Sequence, residues 1–294
     1  MYNIKHNKNL NILEIENAKK NVFAKVHLKY GASLQELTLN GHAIIQNLAP
    51  LTYGASYASS ILFPFANRIK DGIYNYEGKV YTLETNQKEE NNALHGLVYN
   101  KTFKILEHKT NDESAVITLE YNEHKKNPGF PYTYSIILTY TFKQNNMSLK
   151  VSIKNTDSKT FPFTLGWHPY FVSENLYEST LQFDTTEKLI IGNRNITTGT
   201  ETIKPIEKFQ IKNKQLDDCW ILNSNAIKFK TPKYDLVINS SVENNFLQVY
   251  TPPNKNTLAI EPTTGVSDSF NNNIGLQYLK PNQSYTITWG LNIN

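Results

Sequence analysis

Residues 148–154 read SLKVSIK: Leu149, Val151 and Ile153 alternate with Ser148, Lys150, Ser152 and Lys154. A strict period of two, apolar on one side and polar on the other, is the pattern of a strand half-buried in an antiparallel sheet. The pattern extends in both directions. Upstream lie the run from Tyr132 to Phe142 and the set Ala115, Ile117, Leu119 and Tyr121; downstream, Tyr285, Ile287, Trp289 and Leu291 alternate with Thr286, Thr288 and Gly290 to close the chain. Turn signals fall at short intervals between such runs. Asn40-Gly41 and Glu77-Gly78 each predict a tight hairpin, Asn-Gly being suited to a turn whose two central residues take positive φ. His42 flanks the first turn and is expected to be exposed. Asp235 to Tyr250 reads as a further hairpin about Glu243-Asn244-Asn245. No stretch has convincing helical periodicity, a Gly-rich phosphate loop, a repeat or low complexity. The sequence therefore predicts an all-β protein, a sandwich or barrel with its function on loops and strand ends.

A chain of 294 residues can bury a large core as one big β domain or two ordinary ones. Its formal charge of +4, from 30 basic and 26 acidic residues, is spread without a basic stripe, so nucleic acid is not an expected partner. The opening residues lack the apolar run of a secretory signal, and no segment approaches the ~20 apolar residues of a membrane helix. The expectation is a soluble, cytoplasmic protein without a membrane partner. Cys219, the single cysteine, excludes an intrachain disulfide and a multi-cysteine zinc site, and reads as a small core residue beside Trp220. The polar run from Thr85 to Asn92 reads as mobile. The stretch from Lys188 to Gln215 reads as surface strands and loops, not as a linker.

Several side chains stand out against this background. Phe161 to Phe171, FPFTLGWHPYF, brackets His168 with aromatic residues, while Gly166 and Pro169 interrupt the strand on either side. An imidazole held where a strand ends suits proton transfer near neutral pH, although a histidine bonded to backbone in the core has the same surroundings. Among seven histidines, His95 is similarly framed, by Gly96. Arg68 is one of two arginines, the other being Arg194; its planar fork suits vicinal oxygens or a carboxylate, and equally a structural tie to backbone carbonyls. Asp217 and Asp218 precede an apolar run, and local pattern does not separate them. Leu258 to Pro262 ends a predicted strand in Glu261, whose backbone the following proline holds extended.

Taken in order, FPFANRIKDGIYNYEGKVYTL (63–83), ALHG (93–96), GWHPYF (166–171), LDDCW (216–220) and IEPTTGVSDSFN (260–271) resemble the signature blocks of the aldose 1-epimerase (galactose mutarotase) family. The early YGASLQEL (30–37) and the closing YTITWGLNI (285–293) extend the resemblance over nearly the whole chain. It implies one domain spanning residues 1–294, a large antiparallel β-sandwich with a sugar site in a cleft. By that resemblance Asn67 and Arg68 bind substrate, His95 holds the sugar near its ring oxygen, Asp217 binds a hydroxyl, His168 is the general acid and Glu261 the catalytic base.

These residue types suit the chemistry. Interconverting α and β anomers of an aldohexose needs the C1 hydroxyl proton removed while the ring oxygen is protonated, so that the ring opens to an aldehyde. A carboxylate and an imidazole do this together, and neither a cofactor nor a metal is required. The single glycine of ALHGL departs from the two found in many galactose-type members, so the resemblance does not name the sugar. A related branch acts on hexose 6-phosphates; with two arginines and no arginine cluster, an unphosphorylated aldose fits better, although lysines can bind phosphate as point charges. The alternatives are a non-catalytic carbohydrate-binding protein of the same fold, a metal site built from the two histidines and two carboxylates, and a glycosidase using Asp217 and Glu261. The first would need neither an acid nor a base, the second lacks helical histidine spacing, and the third leaves His168 without a role. Oligomeric state is not legible in the sequence.

Overall fold

The computed structural model describes residues 1–243, 245–253 and 256–294. The SLKVSIK stretch lies inside the strand Asn146–Asn155, at the middle of a nine-stranded antiparallel sheet. Its neighbours are Tyr134–Phe142 on one side and Ser284–Ile293 on the other, with Ala115–Glu123 beyond. Register places the apolar faces in rows: Leu119 opposes Leu138, Leu138 opposes Val151, and Val151 opposes Ile287. All four are fully buried. Each such side chain contributes about 1.5–3 kcal/mol of burial, and a one-residue slip would turn a whole row to solvent, so the pattern fixes the register.

The second large sheet has eight strands, among them Glu187–Ile191, Asp217–Ile221, Phe246–Tyr250, Thr257–Thr263 and Gly166–Trp167. Trp167 of this sheet stacks on Trp289 of the nine-stranded sheet, with ring centroids 6.2 Å apart and planes at 19°, so the two sheets face each other across a common core. A five-stranded meander, from Tyr2–Asn7 to His42–Ile45, contributes Leu13, Ile15, Val26 and Leu37 to the same core. The Tyr140 hydroxyl ties this meander to the nine-stranded sheet by donating to the Ala32 carbonyl at 2.9 Å. The architecture is the antiparallel β-sandwich expected. Helices are confined to short pieces among the described residues, and none is long and apolar enough to cross a membrane.

Both tight turns form. Asn40 and Gly41 take φ of 49° and 81°, and Glu77 and Gly78 take 50° and 72°, each pair closing a two-residue hairpin. Cys219 is buried against Leu189, Phe246 and Val266. Lys188 to Gln215 carries short strands and loops of the two large sheets.

Three expectations are corrected. His42 is half-buried, its ring 6.0 Å from that of Tyr234. Asp235 to Tyr250 is not a hairpin: Asp235–Ser240 belongs to the nine-stranded sheet, whereas Phe246–Tyr250 lies in the other between Asp217–Ile221 and Thr257–Thr263. The chain crosses between sheets there, and Asn244, the centre of the expected turn, lies outside the described residues. The polar run 85–92 is fastened: Asn86 accepts from the Leu94 amide at 2.7 Å and donates to the Leu94 carbonyl at 3.0 Å.

Candidate active site

All six residues singled out in the sequence line one cleft of ≈ 180 Å³: Asn67, Arg68, His95, His168, Asp217 and Glu261. Strand pairing brings the first three together. Arg68–Lys70 pairs antiparallel with Asn92–Leu94, setting Arg68 opposite Leu94, and the His95 amide donates to the Asn67 carbonyl at 2.8 Å. Asn67 and His95 both hold left-handed backbone, with φ of 59° and 62°. Asn adopts that conformation readily, whereas for His95 it costs about 1–3 kcal/mol. Gly96 explains why His95 needs its neighbour: at φ of 76°, a Cβ there would meet the Phe63 carbonyl oxygen at 2.3 Å.

His168 sits in the gap between Gly166–Trp167 and Tyr170–Val172, where the strand breaks at Pro169. Its backbone is pinned on both sides, the amide donating to Ser60 O at 3.1 Å and the carbonyl accepting from Ser59 N at 2.7 Å. The ring stacks on Tyr170, with centroids 5.0 Å apart, and meets His95 edge-on at 4.9 Å. Among the described residues, its buried Nδ1 has no hydrogen bond to another residue, nor has that of His95.

Glu261 lies on Thr257–Thr263, which continues two residues beyond the expected end and through Pro262. The Ile260 amide donates to Pro169 O and the Thr264 amide to Leu165 O, so the nitrogen of Pro262 faces the same side between them, beside the break at His168. A proline is tolerated in this central strand because the neighbouring strand is interrupted there. The carboxylate is 3% exposed, and its Oε1 lies 3.3 Å from His168 Nε2.

Register also separates the two aspartates. Asp217 lines the cleft and accepts from Gln248 Nε2 at 2.7 Å, while Asp218 points away to Lys188 at 2.5 Å. Gln248, opposite Glu261 in the neighbouring strand, also receives Asn67 Nδ2 at 3.5 Å and so links Asn67 to Asp217. Sequence reasoning missed Gln248, although an amide inside the apolar run FLQVY was a visible signal. It also missed Tyr57, Tyr170 and Tyr250 as cleft walls, and Gln87, which accepts from Arg68 Nε at 3.1 Å.

Burial governs the electrostatics. Desolvation pushes the Glu261 carboxyl well above the usual range, reinforced by Asp217 and opposed by Arg68. It lowers the His168 imidazole to about 4, with Arg68 acting in the same direction. His95 is driven down by burial and then by His168 and Arg68; Asp217 is raised by burial against the pull of Arg68. Burial therefore disfavours the charged form of both groups, raising the carboxyl and lowering the imidazole.

The aldose 1-epimerase family model matches residues 12–291. The chain belongs to the aldose 1-epimerase family. Solved structures with the same fold include a galactose mutarotase-like protein from Clostridium acetobutylicum, at a TM-score of 0.84 and 18% identity over 100% of this chain and 98% of that one. Galactose 1-epimerase from Lactobacillus acidophilus NCFM superposes at a TM-score of 0.81 and 18% identity, again over 100% and 98% of the two chains. A sequence relative, the uncharacterized protein YihR of Escherichia coli (strain K12), is 21% identical, covering 89% of this family member and 87% of its own length.

Proposed function

We propose that the protein is an aldose 1-epimerase that interconverts the α and β anomers of an unphosphorylated aldohexose, with Glu261 and His168 as its proton-transferring pair. The observation that carries this reading is their geometry: two oppositely suited groups 3.3 Å apart, buried at the wall of a polar cleft. In the opening step Glu261 takes the proton of the C1 hydroxyl while His168 donates to the ring oxygen. The C1–O5 bond breaks, C1 becomes an aldehyde, and rotation about C1–C2 presents its other face. Closure reverses both transfers. General acid–base catalysis of this kind is worth about 10²–10⁴-fold.

The pair begins each step with one proton. Passing it from carboxyl to imidazole prepares for opening, and the product of opening is the uncharged pair that burial favours. The positive charge of Arg68 biases Glu261 toward ionisation. Arg68, Asn67, Asp217 and His95 hold the other sugar oxygens so that C1 alone turns, and the rings of Tyr57, Tyr170 and Tyr250 face the apolar C–H surfaces. One domain spanning the chain belongs to the same reading.

The preference for an uncharged sugar is supported by the lining. Among the described residues no lysine lines the cleft, and Arg194, the second arginine, is engaged with Asp71 at 2.9 Å. The test is NMR exchange between anomeric protons of glucose, galactose and glucose 6-phosphate with the purified protein. Faster exchange for a free hexose than for the phosphate supports the reading; preference for the phosphate overturns the substrate class, and no acceleration of any sugar overturns the activity.

A further inference from the structure

Behind Arg68, outside the cleft lining, stands a carboxylate that the proposed chemistry does not use. Arg68 Nε donates to Glu90 Oε2 at 3.2 Å as well as to Gln87, and Arg68 Nη1 donates to Asn67 Oδ1 at 2.9 Å. The guanidinium is thereby held at two of its three nitrogens, its side chain only 12% exposed. Glu90 is itself held. Asn195 Nδ2 donates to Glu90 Oε1 at 2.8 Å, and Asn92 Nδ2 approaches Oε2 at 3.4 Å.

The residues that hold Glu90 are fixed in turn. Arg194 and Asn195 form consecutive left-handed positions, φ 61° and 56°, in a turn far along the chain from Arg68. Arg194 Nη2 donates to Asp71 Oδ1 at 2.9 Å and Asn92 Oδ1 at 3.1 Å, while its carbonyl accepts from Asn92 Nδ2 at 3.1 Å. Ser267 Oγ donates to the Asn195 carbonyl at 2.8 Å, anchoring the turn to the segment that follows Glu261. Arg194 thus ties the turn to Asp71 and Asn92, and Asn195 carries it to Glu90.

We propose that Glu90 is a positioning residue for sugar binding, fixing the guanidinium of Arg68 and offsetting its charge, with the 193–195 turn as the clamp that holds Glu90. This rests on Arg68 being a sugar ligand, as the epimerase reading has it. The charged and titratable groups that share the field of Arg68 are Asp217, Glu261, His95, His168 and Tyr250. With Glu90 neutralised, Arg68 acts on the two cleft carboxylates without its counter-charge.

Equilibrium binding of glucose and galactose and the pH profile of kcat/KM, compared among wild type, Glu90→Ala, Glu90→Gln and Glu90→Asp, test this. Glu90→Ala is expected to weaken sugar binding about tenfold, the size of one charge-assisted hydrogen bond. Glu90→Gln, which keeps an acceptor oxygen, should lose less affinity yet move the alkaline limb of the profile to lower pH, and Glu90→Asp should restore part of both. Wild-type affinity and pH limb in Glu90→Ala and Glu90→Gln overturn the inference, as does an equal loss in all three variants accompanied by a lowered Tm. Sugar bound by wild type without turnover overturns the epimerase reading alone, because the binding comparison still decides the role of Glu90. If wild type binds neither sugar, both fall.

Discussion

Glu261 Oε1 stands 3.3 Å from His168 Nε2, at the break between Gly166–Trp167 and Tyr170–Val172, beside the unbroken strand Thr257–Thr263. Pro169 and Pro262 create that arrangement: the first lies in the break after Gly166–Trp167, and the second tolerates a missing partner. Proximity and burial then make the two titrations one problem, since neither group is charged readily away from water.

The pH dependence of kcat/KM should show this directly. An unperturbed pair would hold a single proton only between the ordinary carboxylate and imidazole values, about 4.3 and about 6.5. Here His168 falls to about 4 and Glu261 rises, so the second proton arrives only below about pH 4 and the last one leaves well above the usual carboxylate range. By NMR the His168 imidazole should titrate near 4, and kcat/KM, after subtraction of the buffer-catalysed rate, should be flat through weakly acidic pH. An imidazole titrating near its ordinary value of about 6.5 would contradict the burial argument.

Glu261→Gln should also change stability, with a definite sign. The folded-state pKa of Glu261 is raised, so between about 4.3 and the folded value the native protein retains a proton that the unfolded chain releases, and wild type loses about 1.4 kcal/mol per pH unit across that window. The amide cannot ionise and escapes this loss. The Tm of Glu261→Gln minus that of wild type should therefore increase from pH 5 to pH 8. His168, lowered instead, removes stability as pH falls below about 6.5, in both proteins alike. A Tm difference that is constant or shrinks with rising pH would be the opposite result.

The two adjacent aspartates should behave differently. Asp217→Asn alters a cleft group bonded to Gln248 and should raise KM by about 10–100-fold, the range for hydrogen bonds to a charged group. Asp218→Asn removes a partly exposed pair with Lys188, worth about 1 kcal/mol or less, and should leave kcat and KM near wild type. Steady-state kinetics of the two variants side by side check the register. An equal effect, or a larger one at Asp218, would reject it.

How much of this was legible depends on how many faces of a strand are buried. Tyr134–Phe142, Asn146–Asn155 and Ser284–Ile293 bury one face, so alternation announces both the strand and its orientation. Thr257–Thr263 is buried throughout and Phe246–Tyr250 nearly so. Without alternation, nothing in Asp235 to Tyr250 distinguished a hairpin from a crossing between sheets. The cleft residues were legible because their blocks were, and the structure brings all six to one place. Gln87 and Glu90 were not, because a polar run reads as loop whether its side chains face water or grip an arginine. Asp217 and Asp218 needed the strand register to be told apart.

The most direct test is polarimetry of freshly dissolved α-glucose and α-galactose with wild type, Glu261→Gln and His168→Asn at neutral pH. The account predicts that wild type speeds the approach to anomeric equilibrium for at least one sugar and that each variant loses about 10²-fold or more of that acceleration while remaining folded. Variants as fast as wild type, or a wild type no faster than buffer, would contradict it.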